Sequence, residues 1–291
     1  MPMISGKRVI AAMLTALMAV TFTANTAVSV YATGVTATEN AQTIDAQSTD
    51  AQALTPEEQK AQELQQVYDM PVESNGYKDW PQGPGTYGEA GIVMEVGTGA
   101  ILYAKNIDAH EYPASITKVL TALVALENGQ LTDNVTFSHD SVAFLQRGDS
   151  SVGLKEGNVI TLDQAMHAML LASANEAAYA IGESVGVNAG HDYNWFIEQM
   201  NSRCKELGGE NSNFANTNGL HDPNHYTCAR DMALIGRELF KHPEFFKIVQ
   251  TLNYTIPKSK TVEKHEFYQK HKMLWPGNSN YYKYVVGGKT G

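Results

Sequence analysis

Pro113-Ala114-Ser115-Ile116-Thr117-Lys118-Val119-Leu120-Thr121-Ala122-Leu123 is the stretch on which the reading of this chain turns. Val119, Leu120, Leu123, Val124 and Leu126 recur three and four residues apart, which predicts a helix with one apolar face; Asn128-Gly129 ends it. Ser115 stands at the helix start, where unpaired backbone N–H groups point outward and a hydroxyl is exposed. Lys118 follows one turn later on the same face. A serine hydroxyl is inert at neutral pH without a base, and a lysine becomes that base when burial or a nearby cation lowers its pKa. Alone, S-x-x-K is a weak signal. A second copy, Ser202-Arg203-Cys204-Lys205, falls inside another predicted helix and reads as an exposed helix face.

Two further motifs lie downstream. Ser173-Ala174-Asn175 falls between two predicted helices, in a loop from which side chains can enter a cleft. By itself it reads better as a helix cap. Lys289-Thr290-Gly291 follows a Tyr/Val-rich segment, Tyr281 to Val286, that reads as a strand. A strand ending in a cation, a hydroxyl and a glycine can hold a carboxylate, because the glycine lets a ligand backbone approach. By itself it reads as a polar strand end.

The remaining pattern sets the fold class. Gly91 to Val96 and Ala100 to Lys105 read as a hairpin around Thr98-Gly99. Thr161-Leu162-Asp163-Gln164 is a capping box opening a helix through Leu171. Helices are predicted over about 176–185, 192–207 and 226–240, with Gly208-Gly209 as a stop. Strands, then helices, then strands imply an α/β (α+β) fold: an antiparallel sheet whose early and late strands meet, flanked by helices, with a helical subdomain inserted.

Composition bounds the rest. The chain has 291 residues, 43% apolar and 18% charged, an ordinary globular balance. Its net charge of −10 disfavours nucleic acid, which needs a basic face. Lys7-Arg8 followed by the apolar run 9–20 and by Val30-Tyr31-Ala32 reads as a signal peptide over residues 1–32, with an uncleaved anchor as the competing reading. Residues 33–75 read as an acidic linker. Its stretch 33–70 carries seven acids against Lys60, so most of the chain's acidity says little about substrate, and Pro56 to Tyr68 is compatible with a short helix. Residues 76–291 read as the globular part. Cys204 and Cys228 either bridge or remain two buried thiols, and they exclude an all-cysteine zinc site.

Order and spacing raise the weight of the three motifs: S-x-N starts 58 residues after S-x-x-K, and K-T-G starts 116 residues later still. The trio resembles the penicillin-recognising serine enzymes. Lys105-Asn106, the block from Pro113 to Leu123 and the block from Asn216 to Thr227 resemble the low-molecular-weight D-alanyl-D-alanine carboxypeptidases, over about residues 89–291. The resemblance implies a β-lactamase/transpeptidase-like fold and no cofactor or metal. It implies that Ser115 attacks the penultimate D-Ala carbonyl of a peptidoglycan stem peptide ending in D-Ala-D-Ala. Lys118 would take the proton, and Ser173 would relay one to the leaving amine. Asn175 would bond the acyl chain, and Lys289, Thr290 and Gly291 would bind the terminal carboxylate. β-Lactams would be inhibitors, and the location would be extracytoplasmic, at the cell wall or the outer membrane face. The family strand continues past the third motif, and its next residue supplies an oxyanion donor whose loss typically costs about 10²–10³ in rate. The expectation is therefore a C-terminally truncated, impaired copy, without the later β-rich domain and the membrane-associating segment of many relatives.

Three other readings compete. A serine β-lactamase shares the trio, but no E-x-x-L-N block lies between Asn175 and Lys289. A non-catalytic penicillin-binding wall module would keep the pocket without the turnover. Zinc at His221 and His225 is disfavoured because Pro223 interrupts the helix that spacing would need.

Overall fold

The computed structural model describes residues 54–291; the expected signal peptide and the first part of the expected linker, residues 33–53, lie outside the described residues. The first element, α1 (Pro56–Tyr68), is closed by a capping box in which Thr55 and Glu58 satisfy each other's backbone N–H. It buries no residue. The chain after it docks on the first hairpin, β1 (Gly91–Met94) and β2 (Ile101–Lys105), paired antiparallel with a bulge at Val93/Met94. The buried Lys105 ammonium donates to the carbonyls of Val67 (2.5 Å) and Thr86 (2.7 Å). Ser74 and Glu73 accept from the backbone of Ala104 and Asn106.

A 3-10 turn, Ala114–Ile116, leads into α2 (Thr117–Asn128). Nine of its twelve residues, Thr117 to Ala125, are buried. The one-faced helix expected from the apolar spacing is in fact enclosed all round, because α4 (Leu162–Leu171), α5 (Asn175–Asn188), α6 (Tyr193–Glu206) and α7 (Ala229–Leu239) all pack on it. Its alanines and threonines make that approach possible. The expected capping box at Thr161 and Gln164 is formed. Cys228 caps α7 through its sulfur, and both cysteines are buried and free.

The sheet differs from expectation. The described strands form three separate two-stranded antiparallel sheets: β1–β2, then β3 (Asn134–Thr136) with β4 (Val159–Thr161), then β5 (Asn253–Ile256) with β6 (His265–Tyr268). Early and late strands do not meet among these residues, and β3 to β6, the short α3 (His139–Ala143) and α8 (Pro243–Val249) were not foreseen. The expected strand over Tyr281 to Val286 is absent. Its N–H groups go to local turns and to a loop: Tyr281 to Asn278, Val285 to Tyr282 and Tyr282 to Met273. Strand propensity yields a strand only beside a ladder partner. Among the described residues no helix is long and apolar enough to cross a membrane.

The segment from Asn213 to Thr227 is bolted beside α2. Glu111 and Thr227 exchange both backbone hydrogen bonds, at 2.7 and 2.9 Å. His225, fully enclosed, accepts at Nδ1 from the Ala215 N–H (3.0 Å), so its Nε2 carries the proton and donates to Thr117 Oγ1 (2.8 Å). With both ring nitrogens committed, His225 has no lone pair for a metal. His221 instead packs edge-on against Tyr112, at 4.8 Å.

Burial holds the His225 pKa down to about 4. Unfolded, the ring titrates near its ordinary 6.5, so between these values the unfolded chain binds the extra proton. Stability therefore falls as pH drops from about 6.5 to about 4, by up to about 3 kcal/mol. Urea unfolding across that range should give this slope in the native chain and a flatter one in His225→Gln.

Candidate active site

Ser115 is presented by the 3-10 turn, with its hydroxyl half-exposed above the N-terminus of α2. Ala114, just before it, has φ +45°, in the left-handed region that costs a non-glycine residue about 1 kcal/mol or more. The surroundings hold it there. Gly219 (φ +82°) passes so close that a Cβ on it would fall 1.7 Å from the Ala114 carbonyl oxygen. Only glycine fits that approach.

Lys118 lies one turn below, wholly buried. Its Nζ is 3.0 Å from Ser115 Oγ, 2.8 Å from Asn175 Oδ1 and 2.5 Å from the Asn218 carbonyl. Two of these three partners are obligatory acceptors; the third, a hydroxyl, can donate. A neutral amine with two N–H bonds is thus fully satisfied with its lone pair aimed at Ser115. Burial drives the Lys118 pKa well below the ordinary lysine value. Lys289 and Lys270 push it further down by like charge, and Glu176 and Asp149 oppose them.

Ser173 completes the line. It has φ +64° between α4 and α5, and this left-handed residue turns the chain so that Asn175 opens α5. Ser173 Oγ lies 2.9 Å from Ser115 Oγ, and Lys289 Nζ lies 3.0 Å from Ser173 Oγ. An unbroken chain therefore runs Lys118, Ser115, Ser173, Lys289. Lys289 is half-buried, and desolvation with the nearby Lys270 lowers its pKa to about 7. Gly291 lies against the serine turn, where a Cβ would meet Ile116 at 3.2 Å, and Thr290 is exposed beside it. The three motifs, up to 174 residues apart, meet in one crevice. The second S-x-x-K does not join them: Ser202 and Lys205 are exposed on α6.

Four participants had no role in the sequence reading. Asn218 contributes a backbone carbonyl, which carries no sequence signal beyond its place in the Asn216–Thr227 block. Lys270 reaches the site from the loop after β6 and donates to Ser150 Oγ (3.1 Å). Glu176, buried at the start of α5, accepts from Ser151 Oγ and from the N–H groups of Val152 and Gly153 at 2.7 to 3.2 Å. It clamps the loop whose Ser150 carbonyl receives the Asn175 N–H at 2.8 Å. Gly219 supplies the close approach already described.

The D-alanyl-D-alanine carboxypeptidase family model matches residues 81–291 of this chain. The chain belongs to that family. It is 33% identical to the D-alanyl-D-alanine carboxypeptidase DacA of Haemophilus influenzae over 206 residues, covering 69% of this chain and 49% of that protein. It is 31% identical to DacF of Bacillus subtilis over 212 residues, covering 70% and 50%. The structure resembles the crystal structure of the Streptomyces K15 DD-transpeptidase with TM-score 0.58 at 28% identity, covering 63% of this chain and 73% of that one. The fold is therefore the α/β penicillin-binding transpeptidase type. The chain spans about half the length of the curated relatives it matches.

Gly219→Ala tests how the site is held. A methyl group there must displace Ala114, so Ser115 should move off Lys118. Expected are a stability loss of about 1–3 kcal/mol in thermal unfolding and a much larger proportional loss of labelling by a fluorescent penicillin. Unchanged labelling would mean that Ala114 is not fixed by this contact.

Proposed function

We propose that the chain is a serine D-Ala-D-Ala carboxypeptidase, which removes the terminal D-alanine from peptidoglycan stem peptides through an acyl-enzyme. The observation that carries this reading is the line from Lys118 through Ser115 and Ser173 to Lys289, with Lys118 desolvated at its closed end.

Lys118 takes the Ser115 proton as Oγ forms its bond to the carbonyl carbon of the penultimate D-Ala. The tetrahedral oxyanion collapses, and the C–N bond breaks. The proton returns from Lys118 through Ser173 Oγ to the departing amine, so D-Ala leaves neutralised. Water then attacks the ester, with Lys118 as base again. Asn175 has one amide oxygen on Lys118 and its amide hydrogens free for the acyl chain. Lys289, Thr290 and Gly291 receive the substrate carboxylate, which by its charge stabilises protonated Lys289. β-Lactams, built like the D-Ala-D-Ala end, acylate Ser115 and are held as slow esters. The substrate class places the activity outside the cytoplasm, in keeping with residues 1–32 as an export signal. Membrane attachment through a C-terminal segment stays part of this proposal.

Ser115→Ala should abolish covalent labelling by a fluorescent penicillin and D-Ala release from a D-Ala-D-Ala peptide. Lys118→Ala should lower acylation by about 10²–10⁴. Peptide turnover faster than penicillin turnover is expected; the reverse would mean a β-lactamase. Stem-peptide binding with no D-Ala release from the native chain would mean a non-catalytic wall module.

The two lysines also set a pH profile. The kcat/KM for peptide should fall on the acid side as Lys118 gains its proton. It should fall on the alkaline side as Lys289, near 7 in the free protein, loses its own. Lys289→Arg keeps the charge at every pH and should move the alkaline limb upward. An alkaline limb that does not move in that variant rules out the Lys289 charge as the carboxylate anchor.

A further inference from the structure

Lys118 depends on a backbone carbonyl, and a carbonyl points only where its own peptide is held. The Asn218 carbonyl belongs to a loop, Asn216–Gly219, with no helix or strand to fix it. Its direction must come from side chains. Asn216 Oδ1 accepts from the N–H groups of Asn218 (3.3 Å) and Gly219 (2.7 Å), and Asn216 Nδ2 donates to the Leu220 carbonyl (3.0 Å). These bonds stay within the loop and survive if it turns as a body. Apart from the bond of Lys118 itself, the hydrogen bonds that tie Asn216–Gly219 to the helices all fall on Thr217, the residue before Asn218. Thr121 Oγ1 on α2 donates to the Thr217 carbonyl (2.7 Å). The Tyr193 hydroxyl on α6 accepts from the Thr217 N–H (3.1 Å) and lies 3.2 Å from Thr217 Oγ1. The peptides on both sides of Thr217 are thereby fixed, and the next one along carries the Asn218 carbonyl.

Tyr193 is itself held firmly. It opens α6 directly after the N-cap Asp192, which accepts from the Trp195 N–H at 3.0 Å. Its ring stacks on Tyr179 at 4.1 Å and 11°. Helix α5 closes the corner from the remaining side: a Cβ on Gly182 would fall 2.8 Å from Thr217 Cγ2 and 3.2 Å from the Tyr193 ring. Burial pushes the Tyr193 pKa up to about 12, so the hydroxyl stays a neutral acceptor wherever Lys118 titrates.

We propose that Tyr193 is a positioning residue for the reaction: through Thr217 it aims the Asn218 carbonyl at Lys118, and so directs the Lys118 lone pair to Ser115. The assignment rests on the reading of Lys118 as the base. Loss of the hydroxyl leaves the fully buried Thr217 N–H without an acceptor and lets its peptide turn. The lone pair then loses its fixed direction, and proton transfer from Ser115 slows. The bond from Lys118 to the carbonyl weakens as well. Such a bond is stronger to an ammonium than to an amine, so the charged form loses more and the Lys118 pKa falls further. A core that is merely loosened acts in the opposite sense, because water reaching Lys118 restores its charge and raises its pKa. The other groups whose charge acts on Lys118, namely Lys289, Lys270, Glu176 and Asp149, stay in place when Tyr193 or Thr121 is changed, as does the nearby His225.

The test uses Tyr193→Phe, which keeps the ring and its stack. Thr121→Val releases Thr217 from the other side, and Tyr179→Phe is a control that removes a neighbouring phenol hydroxyl outside the clamp. Acylation by a fluorescent penicillin is followed to saturation. Lys118 is titrated by NMR on isotope-labelled lysine side chains, its signal assigned through Lys118→Ala. In Tyr193→Phe the limiting acylation rate should fall about tenfold to a hundredfold, with the half-saturating penicillin concentration within about twofold of native. The Lys118 titration should move to lower pH. Thr121→Val should do the same, and Tyr179→Phe should do neither. An unchanged rate and titration in Tyr193→Phe, a titration moved to higher pH, or an equal loss in Tyr179→Phe overturns the proposal. Acylation of the native chain that Tyr193→Phe leaves intact, with a fixed titration, sinks the role of Tyr193 and leaves the peptidase reading standing. No acylation of the native chain, with the Lys118 titration still moved down in Tyr193→Phe, sinks the peptidase reading and leaves Tyr193 as the residue that aims the carbonyl.

Discussion

The burial of one amine organises this molecule. Lys118 sits in the first turn of a helix enclosed by four others, and its side chain is wholly shut off from the surface. Burying an ammonium in such a place costs several kcal/mol, and giving up the proton costs less. The packing that makes α2 the core of the fold is therefore also what makes Lys118 a base. Its three partners fix where the lone pair points. The carbonyls of Asn175 and Asn218 occupy both N–H bonds, and Ser115 receives what is left. Opening the core around α2 would rehydrate Lys118 and return it toward its ordinary charged state, so stability and nucleophile activation are coupled here.

Backbone strain is concentrated around the same atoms. Three residues in left-handed conformation border the serine: Ala114 just before it, Ser173 across from it and Gly219 behind it. Two of them are not glycine and carry a local penalty that the fold must offset. The offset is visible in buried hydrogen bonds: Asn175 N–H to Ser150, Ala174 N–H to Ala168, and Gly219 N–H to the Asn216 side chain. Ser173 in a regular helix would not bring its hydroxyl to Ser115.

What could be read from the sequence follows from how local the physics is. The Thr161–Gln164 box, the Asn128-Gly129 stop and the α2 pattern are decided within a few residues, and they were legible. The crevice is not local, yet it was anticipated because motif order carried a family resemblance; neither spacing nor propensity would have joined Lys289 to Ser115. Asn218 could not be read because a carbonyl oxygen is common to every residue. Lys270 could not be read because nothing in Gln269-Lys270-His271 marks it as reaching Ser150 and acting by its charge on Lys118 and Lys289. The strand expected at Tyr281 to Val286 failed for the reciprocal reason. Its tyrosines and valines have β propensity, but a ladder needs a neighbour, and the N–H groups found nearer acceptors in turns.

Charge tunes the cleft. The chain as a whole is acidic, at −10, yet three lysines gather here: Lys118 on Ser115, Lys289 on Ser173 and Lys270 on Ser150. Two of the three, Lys289 and Lys270, act by their charge on the third and help hold Lys118 neutral. Glu176, the nearest buried acid, is turned to the Ser151–Gly153 loop and serves the backbone. Salt screens the exposed Lys270 more than the half-buried Lys289, so of the two like charges that act on Lys118 the one on Lys289 persists further as ionic strength rises.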